Sequence, residues 1–138
     1  MNAQPDEKML DEIRKISQNF ENLNHRLDEI EKSIDDLVWY ERVGDIANID
    51  KVYIYGPPLT EQQEPNPTAQ GAGNPVKFWA YVFVPEDIDK TKKYPLIIFP
   101  HGGVHSNFNT YYTHIIRELM AQKYIVIAAE YRGSTGYG

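Results

Sequence analysis

From Met9 to Leu37 the apolar residues fall at Met9, Ile13, Ile16, Phe20, Leu23, Leu27, Ile30, Ile34 and Leu37, alternating steps of four and three without a miss. A repeat of this kind is the seam of a heptad helix, with Ile13, Phe20, Leu27 and Ile34 at a and Met9, Ile16, Leu23, Ile30 and Leu37 at d. At about 1.5 Å per residue the segment makes a rod of roughly 43 Å, long for a surface helix. The stripe is also narrower than the face a globular core requires. The pattern therefore predicts a homo-oligomer through residues 9–37, a coiled coil with Arg26 at g and Glu31 at the following e as an interchain pair. A long amphipathic helix lying along its own domain is the alternative, and mixed Ile, Leu and Phe at the seam leave dimer and trimer open. Acidic Asp6 and Glu7 suit the positive end of the helix dipole, Asp11 with Lys15 and Asp28 with Lys32 have the favourable i,i+4 order, and Arg42 and Gly44 mark the end. Val38, Trp39 and Tyr40 are expected to dock the helix on the domain C-terminal to it.

Beyond the helix the period changes from 3.5 to 2. Lys51–Tyr55 is a short β-branched and aromatic run closed by Gly56-Pro57-Pro58, which predicts a strand. Val76–Val84 predicts a second, ended by Pro85, and an antiparallel pair is the simplest arrangement. The intervening residues 56–75 are dense in proline and glycine; they are expected to be a disordered loop rather than a rim over a site, because only Leu59 could anchor them. Leu96–Phe99 and Tyr124–Ala129 are continuous apolar runs, the mark of strands buried on both faces of a parallel sheet. Between them Tyr112, Ile115, Ile116, Leu119 and Met120 recur at helical spacing, with Asn109 or Thr110 placed to cap the helix start. The expectation is α/β: an antiparallel hairpin plus one βαβ unit over residues 45–138, preceded by a heptad helix over 1–44.

Composition narrows the function classes. The chain has 138 residues, 41% of them hydrophobic, which suits one small folded core with an appendage. The formal charge of -6 and the absence of any dense run of Lys and Arg argue against nucleic acid. There is no cysteine, hence no disulfide and no thiolate metal site. Asp6, Glu7, Asp11 and Glu12 interrupt the first twenty residues, so they carry no signal-peptide core, and no apolar run approaches the roughly 20 residues that span a bilayer. A cytoplasmic protein with no membrane partner is expected.

Chemistry concentrates at the ends of the two parallel strands, where ligands of such sheets gather. The first delivers Phe99-Pro100-His101-Gly102-Gly103, and glycines there let a backbone N–H face the charge that develops in acyl transfer. The second delivers Tyr131-Arg132-Gly133-Ser134-Thr135-Gly136-Tyr137-Gly138. A His-Gly-Gly run alone is weak, because lipases and esterases share it. The two motifs around one helix resemble the start of the catalytic α/β-hydrolase domain of the prolyl oligopeptidase family of serine peptidases, closest to its acylaminoacyl-peptidase branch. The resemblance covers Tyr94 to Gly138. It implies that the Gly103 N–H supplies half of an oxyanion hole, with Gly102 shaping the turn and His101 holding it, and that the Arg132–Gly138 loop is a wall beside the site. It also implies that the Phe99 strand lies between the Ala129 strand and a strand leading to the nucleophile. Val104 stands where these peptidases usually have proline, and Lys123 where a helix-ending glycine is common. In place of the β-propeller the family usually carries at its N-terminus there is a heptad helix and one long loop, which opens the way to ester substrates.

No G-x-S-x-G elbow occurs in the chain, so the nucleophile, acid and base of the triad are expected to be absent from it. Ser134 lacks the elbow spacing, and His101 and His105 are separated by a glycine turn that does not align them for a metal; no metal and no cofactor are expected. His114 reads as a surface residue of the crossover helix, and Tyr111 and Tyr112 as helix packing. The sequence reading is an N-terminal fragment of a serine hydrolase that cleaves peptide bonds through an acyl-enzyme once the missing groups are supplied, and that is inactive alone. The alternatives are a carboxylesterase of the same fold, its remainder supplied by another chain, and a non-catalytic coiled-coil assembly module. A G-x-S-x-G roughly 60–90 residues further on would favour the hydrolase.

Overall fold

The computed structural model describes residues 7–55, 77–103, 105–131 and 133–137. The expected loop over 56–75 and the positions Asp6, Val76, Val104, Arg132 and Gly138 lie outside the described residues. In chain order the elements are α1 (Glu7–Val43), β1 (Ala47–Tyr55), β2 (Lys77–Pro85), β3 (Leu96–Pro100), a 3-10 turn (Thr110–Tyr112), α2 (Thr113–Ala121) and β4 (Ile125–Glu130). No helix among the described residues is long and apolar enough to cross a membrane.

The four strands form one mixed sheet in the order β1-β2-β4-β3. β1 and β2 make the expected antiparallel pair, β2 and β4 are also antiparallel, and β3 and β4 are the parallel pair of the βαβ unit. Register explains which side chains meet. Ile49, Phe83, Val126 and Ile97 lie in one cross-strand row, and Lys51, Tyr81, Ala128 and Phe99 in the next. These rows face the helices. The alternate rows, such as Asp50, Val82, Ile127 and Ile98, make up the opposite face, where Leu96 and Ile98 at the β3 edge are 53% and 59% exposed.

The core is an aromatic stack that α1 and the sheet build together. Trp39, fully buried, stacks on Phe108 at 5.0 Å and 5° and meets Phe83 edge-on at 5.1 Å. Phe108 in turn stacks on Tyr112 at 5.3 Å, and Phe99 closes the cluster from β3. Offset and edge-to-face contacts of this kind add about 0.5–1.5 kcal/mol per pair to the area they bury.

Several expectations are corrected. β1 begins at Ala47, four residues before the predicted start, because Ala47 and Ile49 turn inward while Asn48 and Asp50 face water. Of the three residues expected to dock α1, only Trp39 is buried, with Val43 one turn on, and Tyr40 is exposed. Asp11 does pair with Lys15. Lys32 does not pair with Asp28; it turns inward to Asp35, Asp36 and Glu130. Tyr112 packs in the core as expected, whereas Tyr111 is exposed.

Capping follows the sequence more closely. Gly44 donates to the Tyr40 carbonyl at 3.0 Å, and a Cβ there would fall 2.3 Å from that oxygen. Asn109 caps the 3-10 turn by accepting from the Tyr111 N–H at 3.0 Å. Asp35 of α1 caps the same turn from across the structure, accepting from the Thr110 N–H at 3.0 Å and its hydroxyl at 2.6 Å. After α2 the chain reverses through Lys123 at φ 63, the left-handed position that glycine occupies in related helix ends. A side chain there costs about 1 kcal/mol, and the exposed Lys123–Asp87 ion pair offsets little of it. Lys123→Gly is expected to raise stability by about 0.5–1 kcal/mol in urea unfolding; a variant less stable than the parent would show that this turn carries no strain.

Candidate functional site

β3 brings the chain to the carboxyl edge of the sheet and ends at Pro100, so His101-Gly102-Gly103 follows outside the ladder. Among these glycines the left-handed backbone falls on Gly103, at φ 80, while Gly102 has open space around it. Among the described residues no hydrogen bond takes the Gly103 N–H. Its carbonyl is held instead: the Tyr131 hydroxyl lies 2.8 Å from the Gly103 oxygen and 2.9 Å from the His101 oxygen. Tyr131 also stacks on the His101 ring at 4.2 Å.

His101 is buried beneath the turn, and both its nitrogens are engaged. Nδ1 lies 3.2 Å from the Gly102 carbonyl and from the Tyr131 hydroxyl, and Nε2 lies 2.8 Å from Ser134 Oγ and 3.3 Å from Glu130 Oε2. Serine, histidine and carboxylate meet here, but not as a triad. In a triad the carboxylate orients one nitrogen so that the other serves the serine. Here both partners converge on Nε2, and all three residues are buried. His105 and His114 are exposed and stand apart from the cluster. No group of three or more metal-ligating side chains occurs among the described residues.

The loop after β4 is a strap across the turn. Ser134 N–H donates to the Tyr131 carbonyl and Thr135 N–H to the Ser106 carbonyl, each at 3.0 Å. Asn107 donates to the Thr135 carbonyl and hydroxyl at 3.3 and 3.1 Å. Gly136, at φ 89, lies so close to α1 that a Cβ would come within 2.5 Å of the Lys32 Cβ. Glycine at this position is what lets the strap and the helix touch.

Glu130 joins strap, turn and helix. It ends the apolar run of β4, opposite Trp79, and its carboxylate accepts from the Phe108 N–H at 3.1 Å, meets Lys32 Nζ at 3.6 Å and faces His101. Burial pushes this carboxyl up; Lys32, the Phe108 N–H and His101 oppose the rise without cancelling it. Lys32, itself buried, contacts the Tyr81 hydroxyl and Asp36 as well. For Asp36, burial favours protonation, but hydrogen bonds from Lys32, Lys51 and Tyr81 outweigh it and hold the carboxyl below its ordinary value. Burial raises the Tyr81 and Tyr137 hydroxyls, so both stay neutral donors beside these carboxylates. Phe108, Glu130 and the hydroxyl of Tyr131 went unnoticed in the sequence, and Lys32 was read only as a partner of Asp28. The available signal was Glu130 itself, a carboxylate closing an apolar strand.

A mixed sheet with a crossover helix, and a His-Gly-Gly turn beyond the carboxyl end of its edge strand β3, make an α/β fold. Residues 79–136, under half of the chain, match the family described as platelet-activating factor acetylhydrolase, isoform II. Dipeptidyl-peptidase 5 of Aspergillus fumigatus is 44% identical over 68 residues, which cover 48% of this chain and 9% of that protein. The acylamino-acid-releasing enzyme of Sus scrofa is 34% identical over 61 residues, 44% of this chain and 8% of that enzyme. A solved structure of Pyrococcus horikoshii acylaminoacyl peptidase aligns with 69% of this chain and 13% of its own, at 17% identity and a TM-score of 0.43. The chain spans under a tenth of the length of the two sequence relatives. Over the part that matches, it is related to the serine peptidases of the prolyl oligopeptidase family.

Breaking one side of a buried ion pair costs about 3–5 kcal/mol. Lys32→Met is therefore expected to lower stability by about that amount, measured by chemical unfolding; a loss under about 1 kcal/mol would mean that Glu130 is compensated without it. The sign for Asp36 is that of a depressed carboxyl. Its contribution is fully present above the ordinary value of 3.8 and is lost as pH falls below it. Asp36→Asn should flatten the acid limb of the stability-versus-pH curve, and an unchanged limb would contradict the assignment.

Proposed function

We propose that this chain supplies one wall of the oxyanion hole of a serine hydrolase that cleaves peptide bonds through an acyl-enzyme. The single observation that carries the reading is the Gly103 amide: outside the sheet ladder, in a left-handed turn that its neighbours pin by the carbonyl side, and with no hydrogen-bond partner among the described residues. An amide fixed in this way costs no reorganisation when charge develops on a substrate oxygen, and one such donor is worth about 10²–10³ in kcat. Gly102 gives substrate room to approach, His101 supports the turn from below, and Tyr131 holds it from the strap. The nucleophile, the acid and the base come from residues outside these 138, and the substrate is a peptide, in keeping with the names of the sequence relatives.

An ester substrate is the second reading, and one observation favours it. The family match over residues 79–136 is to an acetylhydrolase.

A fluorophosphonate probe tests both statements. The 138-residue chain alone is expected to remain unlabelled and without turnover; stoichiometric labelling of it, at Ser134 or elsewhere, would overturn the proposal. Joined to the segment bearing the nucleophile, the protein should label at that serine and hydrolyse aminoacyl or acylaminoacyl anilides faster than acetyl esters, the reverse order selecting the esterase. In that protein Tyr131→Phe should lower kcat on the order of tenfold with KM little changed, a fraction of the cost of losing the donor itself.

A further inference from the structure

We infer that α1 is the self-association element of this protein, and that its exposed heptad seam is occupied by the same seam of a second copy in parallel register. The inference stands apart from the proposed activity. All nine seam residues from Met9 to Leu37 are between 52% and 71% exposed. The helix nevertheless does pack on its own domain, and it does so with a different face. Its buried and half-buried positions are Asp28, Lys32, Asp35, Asp36, Val38, Trp39 and Val43. With Ile13 at a, all of these except Val38 fall at b, c or f, the outward positions of a coiled coil. The apolar stripe thus points away from the chain's own domain.

Three further features select a second copy as the occupant. Residues 7–27 are exposed on every side, and an isolated helix of that kind is marginal in water without a packed face. Nine large side chains, on the order of 100 Å² of exposed surface apiece, amount to roughly 900 Å² per helix, comparable with the ~800 Å² per partner of a standard interface. The charges along the seam also fit. In a parallel pair the g residues Glu12, Asn19, Arg26 and Ser33 face the partner's e residues Ser17, Asn24, Glu31 and Val38, which gives one attractive pair per side and no repulsion. Arg26 and Glu31 have no ion-pair partner among the described residues, in contrast to Lys15, which is held by Asp11 and Glu12. Because the domain hangs from the b/c/f face, two copies can zip from end to end with both domains outside.

The test uses the full 138-residue chain, which has no cysteine of its own. Sedimentation equilibrium at rising concentration should give a mass of at least two chains, and Leu23→Asn with Leu27→Asn should return it to one chain while near-ultraviolet circular dichroism of the Trp39 core stays unchanged. Ile30→Cys should form an interchain disulfide in air, because residue 30 meets residue 30 only in a parallel, in-register pair. A parent that stays monomeric at high micromolar concentration overturns the inference. So does association that survives both asparagines, since it would then arise from the β3 edge, and so does failure of Ile30→Cys to cross-link.

Discussion

A carboxylate at the inner end of an apolar strand is the constraint on which the rest of this structure turns. Glu130 is buried, and burial alone would drive its proton back on. Three groups from three parts of the chain converge on it: Lys32 from α1, the Phe108 N–H from the loop before α2, and His101 from the turn after β3. Although its Oε2 has no hydrogen-bond partner among the described residues, gathering these groups around one acid ties together the helix, the core loop and the glycine turn. The last of these carries the amide on which the proposed chemistry depends, so its geometry is set from beneath by groups that never reach a substrate.

The same anchor explains why α1 has two faces with different work. Lys32, Trp39 and Val43 bind it to the sheet by a buried ion and an aromatic stack, and Gly136 lets the strap close against it. The apolar seam is left on the opposite side. A helix that needed its seam for its own domain would have buried Ile30, Ile34 and Leu37, and all three are exposed. Stability at its C-terminal third and an unfilled surface along its whole length are two results of one placement.

Elements governed by short-range periodicity were legible in the sequence. The heptad spacing located α1, continuous apolar runs located β3 and β4, and Asn109 and Gly44 marked ends by local hydrogen bonds. The His-Gly-Gly turn was legible as a turn because glycine after an apolar strand marks where the chain leaves the ladder. What could not be read was whatever depended on distant partners. Lys32 looked like an f-position lysine paired with Asp28 and proved to be buried, because besides Asp35 and Asp36 it meets Tyr81 and Glu130, which stand far along the chain. Phe108 sits in an irregular loop with no period to reveal it, yet it lies at the centre of the aromatic stack. Tyr131 and Ser134 were visible as motif letters, while their contacts with His101 arise only when the strap folds back.

The coupling between Lys32 and Glu130 is the most direct measure of whether the turn is held from α1. A double-mutant cycle of Lys32→Met and Glu130→Gln, read by equilibrium unfolding, isolates that pair from their other contacts. A coupling of about 2 kcal/mol or more is expected, with the double variant more stable than the sum of the single losses allows. A coupling within about 0.5 kcal/mol of zero would mean that the two charges are satisfied independently, and that nothing ionic ties the helix to the glycine turn.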